Sequence, residues 1–311
     1  MSKKIFTGIV EAVTALLAVS LVAFAVVVVY ANVQANLSET EAVPKAPSDL
    51  VTLSNGYEYH VTDSPATGNI ASDIPLVLLH TFDARGSETF APWIANLSRD
   101  FRVIVPDMLG MGYAERVTEN GAHYSYASQA QSIVEMLDTL GVQTVDVLGH
   151  GYGSAVAAQL ALDYPDRVRR VVFVAADVYP REGFINATWQ TVSRMPFGIG
   201  RGMLFLTHGA GQPDRDESVD PFVNTTGNAQ ALFAANAQRN NRALSERLSA
   251  ITQPVAVIWS EGDRRIPVDF AERLIADTNA QESLILFGGT HYPFLDNQQE
   301  VQETLGDFLG N

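Results

Sequence analysis

A stretch of twenty residues without a charged side chain lies near the amino terminus and limits how this chain can fold. It runs from Ala12 to Ala31 and reads AVTALLAVSLVAFAVVVVYA. A helix rises about 1.5 Å per residue, so this stretch can cross a hydrocarbon core roughly 30 Å thick. A cleaved signal peptide is the alternative, but its apolar core spans about 7 to 15 residues and precedes a small-residue cleavage pattern. Tyr30-Ala31-Asn32 lacks that pattern, so the sequence predicts an uncleaved transmembrane anchor over residues 12–31.

The charges that flank this stretch predict its orientation. Lys3 and Lys4 precede it, whereas Glu39, Glu41 and Lys45 follow it. Because positively charged flanks stay on the cytoplasmic side of a membrane, we expect residues 1–31 to form a cytoplasmic N-terminus and its anchor. The chain is therefore predicted to be a single-pass membrane protein with an extracytoplasmic globular domain.

The composition excludes several classes of function. The 311 residues include 20 basic and 35 acidic side chains, which gives a net charge of −15. No cluster of Lys and Arg could neutralise phosphates, so we expect no nucleic-acid partner. The chain contains no cysteine, which excludes disulfides, thiolate metal sites and cysteine nucleophiles.

An alternation of short apolar runs and amphipathic stretches follows the anchor. Residues 32–48 are polar and contain two prolines, which predicts a tether, and the domain is expected to cover residues 49–311. Strands are predicted at 74–80, 103–106, 145–148, 171–175, 255–259 and 284–287, and helices at 88–97, 126–140, 154–164, 269–277 and 298–309. This order predicts an α/β fold with a mostly parallel sheet. The long interval over about 179–250 is predicted to be a helical cap.

A glycine-rich turn follows the third of these strands. Gly149-His150-Gly151-Tyr152-Gly153 stands between VDVL and the helix SAVAAQLALDY, which is the strand, tight turn and helix of a nucleophile elbow. With this turn, residues 50–311 resemble the alpha/beta-hydrolase superfamily. The other matching segments are LLHTF at 78–82, DMLGMG at 107–112, PDRV at 165–168, VIWSEGDRRIP at 257–267 and GGTHYPF at 288–294.

The resemblance implies an alpha/beta-hydrolase fold and a set of catalytic positions. It places the acid at Asp263, the base at His291, and the amides of the oxyanion hole at Phe82 and Tyr152. No metal or organic cofactor is expected, because the sequence has neither a dense His and carboxylate cluster nor a G-x-G-x-x-G motif in a first βαβ unit. Aromatic residues of the predicted cap could line a pocket: Phe184, Trp189 and Phe222.

The chain departs from the family pattern at two positions. Gly151 stands where the G-x-S-x-G pattern has its serine nucleophile, and Thr81 stands where the family usually has glycine. A β-branched residue there is expected to crowd the oxyanion hole. Ser154 is expected to point away from the catalytic base, because it lies in the first helical turn. His80 and His150 are expected to be hydrogen-bonding or packing residues rather than catalysts.

Three functions from different classes fit this pattern. The first is a membrane-anchored pseudoenzyme, a binding or scaffold module that serves another membrane protein or complex as an accessory subunit. The second is a hydrolase or lyase in which the dyad of Asp263 and His291 acts as general base on a bound water. The third is a serine esterase whose nucleophile was replaced by engineering. The sequence favours the first, because Gly151 has no atom that could attack a substrate.

Overall fold

The amino-terminal segment is one long helix. The computed structural model describes residues 3–37, 46–48, 50–68, 73–83, 85–117, 123–181 and 226–310. Helix α1 covers Lys3–Leu37, and its segment Val13–Tyr30 is long and apolar enough to cross a membrane. The helix continues to Leu37, beyond the predicted start of the tether at residue 32. No glycine or proline follows the apolar stretch before Pro44, so nothing in the sequence ends the helix earlier.

The domain contains a seven-stranded sheet and a separate pair of short strands. The strands are β1 (Val51–Thr52), β2 (Glu58–Tyr59), β3 (Val61–Ser64), β4 (Leu76–Leu79), β5 (Val103–Pro106), β6 (Val145–His150), β7 (Val168–Val174), β8 (Val255–Ser260) and β9 (Glu282–Leu286). The sheet order is β3-β5-β4-β6-β7-β8-β9, in which β3 alone runs antiparallel to its neighbour, and β1 pairs with β2. The predicted α/β fold with a mostly parallel sheet is confirmed. Strands β1 to β3 are not among the predicted strands, because these short segments contain polar residues and form no apolar run.

Helices follow most of the parallel strands. They are α2 (Ala91–Leu97), α3 (Tyr126–Thr139), α4 (Tyr152–Asp163), α5 (Thr226–Gln238), α6 (Asn241–Ser245), α7 (Asp269–Thr278), α8 (Pro293–Asp296) and α9 (Gln298–Gly310). Helices α5 and α6 belong to the region predicted as a cap. Residues 182–225 of that region, which include Phe184, Trp189 and Phe222, lie outside the described residues.

Two apolar layers cover the two faces of the sheet. Within β4, Val77 and Leu79 pack into the layer that contains α3, α4 and α7, whereas Leu76 and Leu78 pack into the layer of α2, α8 and α9. Alternate residues of a strand point to opposite faces, so a run of apolar residues is needed where both faces are covered. Strands β4, β6, β8 and β9 are parallel members of this sheet, so their carboxyl ends meet at one edge of it.

The start of α4 lies against the end of β4 without a side chain between them. A Cβ placed on Gly153 would lie 2.0 Å from the carbonyl oxygen of Leu79, and a Cβ on Gly149 would lie 2.5 Å from the Cα of Ser154. These separations are far inside van der Waals contact, so only glycine fits at either position. The two glycines bring residue 151 next to the chain that leaves β4.

Replacing Gly153 with alanine is expected to lower the free energy of unfolding by about 3 kcal/mol, because the added methyl group overlaps backbone atoms. Gly306→Ala is the matched control, since Gly306 lies in α9 with nothing within 4 Å of its Cβ position. Alanine there should raise the stability by up to about 1 kcal/mol. Urea unfolding followed by circular dichroism measures both variants. Equal stabilities would contradict the close approach.

Candidate active site

Gly151 holds the turn between β6 and α4 in a conformation that side chains rarely adopt. Its backbone angles are φ 54° and ψ −112°. The amide of Gly151 donates to the carbonyl of Val174 at 2.9 Å, and its carbonyl accepts from the amides of Ser154 at 3.1 Å and Asp177 at 3.0 Å. The turn is thus held by hydrogen bonds to β7, to the residues after it, and to α4. It keeps the form of an elbow although residue 151 carries no side chain.

Asp263 and His291 form a buried hydrogen-bonded dyad. Asp263 follows β8 and His291 follows β9, so neighbouring parallel strands deliver both residues to the same edge of the sheet. His291 Nδ1 lies 2.8 Å from Asp263 Oδ2. The other carboxylate oxygen, Oδ1, accepts from the amides of Arg265 at 2.7 Å and Ile266 at 3.0 Å. Because the amides hold the carboxylate, the carboxylate can orient the imidazole with Nε2 left as a base.

His150 connects the elbow to the loop that carries the base. Its Nε2 lies 2.8 Å from the carbonyl oxygen of His291, so this nitrogen is the donor and His150 carries its proton there. Burial, followed by the neighbouring His291, lowers the pKa of His150 well below 6.5. A neutral His150 therefore fixes the position of His291 without placing a positive charge beside it.

The side chain of Thr81 fills the space above Gly151. A Cβ placed on Gly151 would lie 2.3 Å from Thr81 Oγ1, 3.1 Å from Thr81 Cβ and 3.3 Å from His291 Nε2. The threonine hydroxyl and the imidazole nitrogen therefore border the same small space. The expected crowding by Thr81 concerned the oxyanion hole. What the structure shows is that the Thr81 hydroxyl lies 2.3 Å from the point where a side chain of residue 151 would begin.

Two other polar side chains near the elbow have structural partners. The Ser154 hydroxyl donates to the carbonyl of Gly149 at 2.5 Å, so it is directed back at the turn and not toward His291. His80 Nδ1 donates to the carbonyl of Thr81 at 2.8 Å, and His80 Nε2 accepts from the amide of Met108 at 3.0 Å. Both residues lie as the sequence analysis expected.

Phe82 and Tyr152 lie side by side at the positions assigned to the oxyanion hole. Their rings meet edge to face at a centroid distance of 5.4 Å. Tyr152 is the first residue of α4, so its amide has no acceptor within its own helix. Among the described residues, no acceptor pairs with the amide of Phe82 either. Two free amides, each next to one wall of the space above Gly151, could stabilise a developing negative charge.

A buried ionic cluster that the sequence analysis missed lies beside these rings. Asp177 follows β7 and pairs with Arg181 at 2.9 Å and with Arg239, which follows α5. The Arg239 guanidinium lies 5.7 Å from the centroid of the Phe82 ring and 5.8 Å from that of Tyr152. The placement of Asp177 just after a parallel strand was the available signal, because side chains at the carboxyl ends of such strands share one edge.

The charges of this cluster stabilise each other. Burial alone would raise the pKa of Asp177, but Arg239 and Arg181 outweigh it and hold that pKa below its ordinary value. Burial likewise opposes the charge of Arg239, yet Asp177 and Tyr126 raise the pKa of the guanidinium. Arg239 therefore keeps a positive charge beside the rings of Phe82 and Tyr152. Among the described residues, no group of three or more His, Asp or Glu side chains could hold a metal ion.

Comparisons with known proteins agree with this fold. A profile of the alpha/beta hydrolase fold matches residues 74–203. The chain is 29% identical over 252 residues to the 2-hydroxymuconate semialdehyde hydrolase of Pseudomonas sp. strain CF600, which covers 76% of this chain and 86% of that protein. It is 28% identical over 226 residues to the magnesium-chelatase 30 kDa subunit of Rhodobacter capsulatus, over 67% and 75% of the two chains. The solved structure of a membrane phospholipase A is similar with a TM-score of 0.65 at 18% identity, and covers 99% of this chain and 98% of its own.

We expect Gly151→Ser to lower the free energy of unfolding by about 2 to 5 kcal/mol, because the new side chain meets both backbone strain and Thr81. Gly141→Ser is the matched control for strain alone, since Gly141 has φ 68° and nothing within 4 Å of its Cβ position. Combining Gly151→Ser with Thr81→Gly should recover about 1 to 3 kcal/mol, which a double-mutant cycle in urea measures. Additive effects at positions 81 and 151 would show that the two side chains do not compete for one space.

Proposed function

Since the chain belongs to the alpha/beta-hydrolase superfamily, we propose that its domain hydrolyses an acyl substrate, such as an ester, without a nucleophile at the elbow position. The observation that carries this proposal is the intact dyad, with His291 Nδ1 2.8 Å from Asp263 Oδ2. In this role His291 Nε2 is the general base and Asp263 orients the ring. The amides of Phe82 and Tyr152 stabilise the oxyanion of the tetrahedral intermediate.

The support for catalysis lies in how the dyad is held. A His and Asp pair kept only for packing needs no ring nitrogen without a hydrogen-bond partner. Here His291 Nε2 lies 3.3 Å from the Cβ position of Gly151 and so faces the elbow. Among the described residues, no group forms a hydrogen bond with that nitrogen. The His150 bond to the carbonyl of His291 fixes the loop in this orientation. Such preorganisation is what a general base requires, because proton transfer depends on placement within hydrogen-bond reach.

A non-catalytic accessory subunit is the second candidate function. It is favoured by Gly151, which offers no nucleophile, and by Thr81, whose side chain occupies the space of a residue 151 side chain. The magnesium-chelatase relative is named as a subunit, which also suits this candidate. In this case the domain would bind another membrane protein through an interface larger than about 1,000 Å².

We also propose that α1 anchors the domain in a membrane. Its apolar segment Val13–Tyr30 suits a span, and Lys3 and Lys4 precede it. The N-terminus is then cytoplasmic and the domain extracytoplasmic.

Esterase activity that depends on the dyad tests the proposed hydrolase. With p-nitrophenyl acetate as probe, the full chain in detergent should exceed the rate of buffer, and His291→Gln should lower kcat/KM by about 10² to 10⁴. Asp263→Asn should lower it within the same range, because the imidazole loses its orienting charge. His123→Gln is the control, since His123 contacts Tyr57 and not the dyad. Turnover that is absent, or unchanged in His291→Gln, would favour the accessory subunit.

Protease accessibility tests the anchor and its orientation. Protease added to intact cells or spheroplasts should cut between α1 and the domain and release an acidic soluble fragment, which immunoblotting of the medium detects. Protection of the domain would mean the opposite orientation. Release of the domain without protease would mean that the apolar segment is a cleaved signal peptide.

A further inference from the structure

The hydroxyl of Thr81 is a second polar group at the space that the dyad faces. Thr81 Oγ1 and His291 Nε2 lie 2.3 Å and 3.3 Å from the same point, the Cβ position of residue 151. Within the part of the chain that the structure describes, neither atom forms a hydrogen bond, although Thr81 is only 4% exposed. A hydroxyl and a basic nitrogen therefore face one space with their hydrogen-bonding capacity unused.

We propose that Thr81 Oγ1 is the nucleophile of this site and forms a covalent acyl intermediate. This proposal rests on the hydrolase function proposed above and names the atom on which His291 acts. The hydroxyl belongs to the segment that follows β4, whereas a side chain of residue 151 would belong to the turn that precedes α4.

The surroundings of Thr81 supply the other parts that such a reaction needs. Its carbonyl accepts from His80 Nδ1 at 2.8 Å and from the amide of Asp83 at 2.8 Å, so the backbone that carries the hydroxyl is fixed. The amide of Phe82 directly follows Thr81, and the amide of Tyr152 directly follows Gly151. The two residues that border the space are therefore each followed by a free amide. The attacked carbonyl oxygen could then lie between the two amides.

The proposed reaction balances with an ester as substrate and water as the second reactant. Thr81 Oγ1 attacks the carbonyl carbon while its proton passes to His291 Nε2, and the amides of Phe82 and Tyr152 hold the oxyanion. Collapse of this intermediate breaks the bond to the leaving alkoxide, which takes the proton from His291. Water then attacks the acyl-threonine and gives a proton to His291. The second collapse returns that proton to Oγ1 and releases the carboxylic acid.

A purely space-filling role for Thr81 explains less of the geometry. Valine has the same shape and would fill the space equally well, without placing a hydroxyl at the space that His291 Nε2 borders. A hydroxyl that serves a reaction accounts for a polar atom at the space that His291 Nε2 borders.

Covalent labelling with a fluorophosphonate, followed by peptide mass spectrometry, tests the proposal on the full chain. The label is expected on Thr81 and should be lost in Thr81→Val and in His291→Gln. Thr81→Ser should keep it, which separates loss of the hydroxyl from loss of the fold. Thr278→Val is the matched control, because the buried Thr278 hydroxyl donates to the carbonyl of Leu274 at 2.7 Å within α7. In parallel, Thr81→Val should lower p-nitrophenyl acetate turnover at least about 100-fold.

The outcomes separate this proposal from the one on which it rests. Turnover that falls in His291→Gln but persists in Thr81→Val would overturn a threonine nucleophile and leave the dyad acting on water. A label on any residue other than Thr81 would overturn it as well. Turnover that is insensitive to both variants would overturn the hydrolase function itself.

Discussion

The close contact between the start of α4 and the end of β4 is the constraint on which the site depends. Gly153 leaves no room for a Cβ against the carbonyl of Leu79, so the helix begins directly against the backbone that leaves the strand. Gly149, in β6, likewise leaves no room for a Cβ against the first turn of α4. This contact sets residue 151 beside Thr81 and puts the amides of Tyr152 and Phe82 on neighbouring chains. If α4 began farther from β4, the sequence would be unchanged, but Thr81 would no longer border the space above Gly151.

The parallel sheet supplies the second half of the site. Strands β8 and β9 are neighbours and end at the same edge, so the loops that follow them bring Asp263 to His291. His150 then bonds to the carbonyl of His291 and joins this half to the elbow. The charged groups at this edge are paired: Asp263 with His291, and Asp177 with two arginines. Pairing of this kind is what allows ionisable groups to lie inside a protein.

Much of this arrangement could be predicted from the sequence because it follows from local patterns. Apolar runs marked the buried strands, and the resemblance to alpha/beta hydrolases assigned Asp263 and His291. The position of the Thr81 hydroxyl could not be predicted, because it depends on a separation of a few ångströms between elements 70 residues apart in the chain. Arg239 was missed for a related reason, since only the return of the chain after α5 brings it over Phe82. Strands β1 to β3 were missed because their pairing, and not their composition, makes them strands.

The shared space above Gly151 also restricts how this site can change during evolution. A serine at position 151 is opposed by the side chain already present at position 81, so its acquisition requires that Thr81 first become smaller. Loss of Thr81 alone removes the hydroxyl beside His291 before any other has replaced it. Each single step therefore passes through a protein that is either less stable or without a hydroxyl at this point. The residues at positions 81 and 151 are consequently expected to be inherited together. Descendants should carry threonine at 81 with glycine at 151, or glycine at 81 with serine at 151, and seldom another combination.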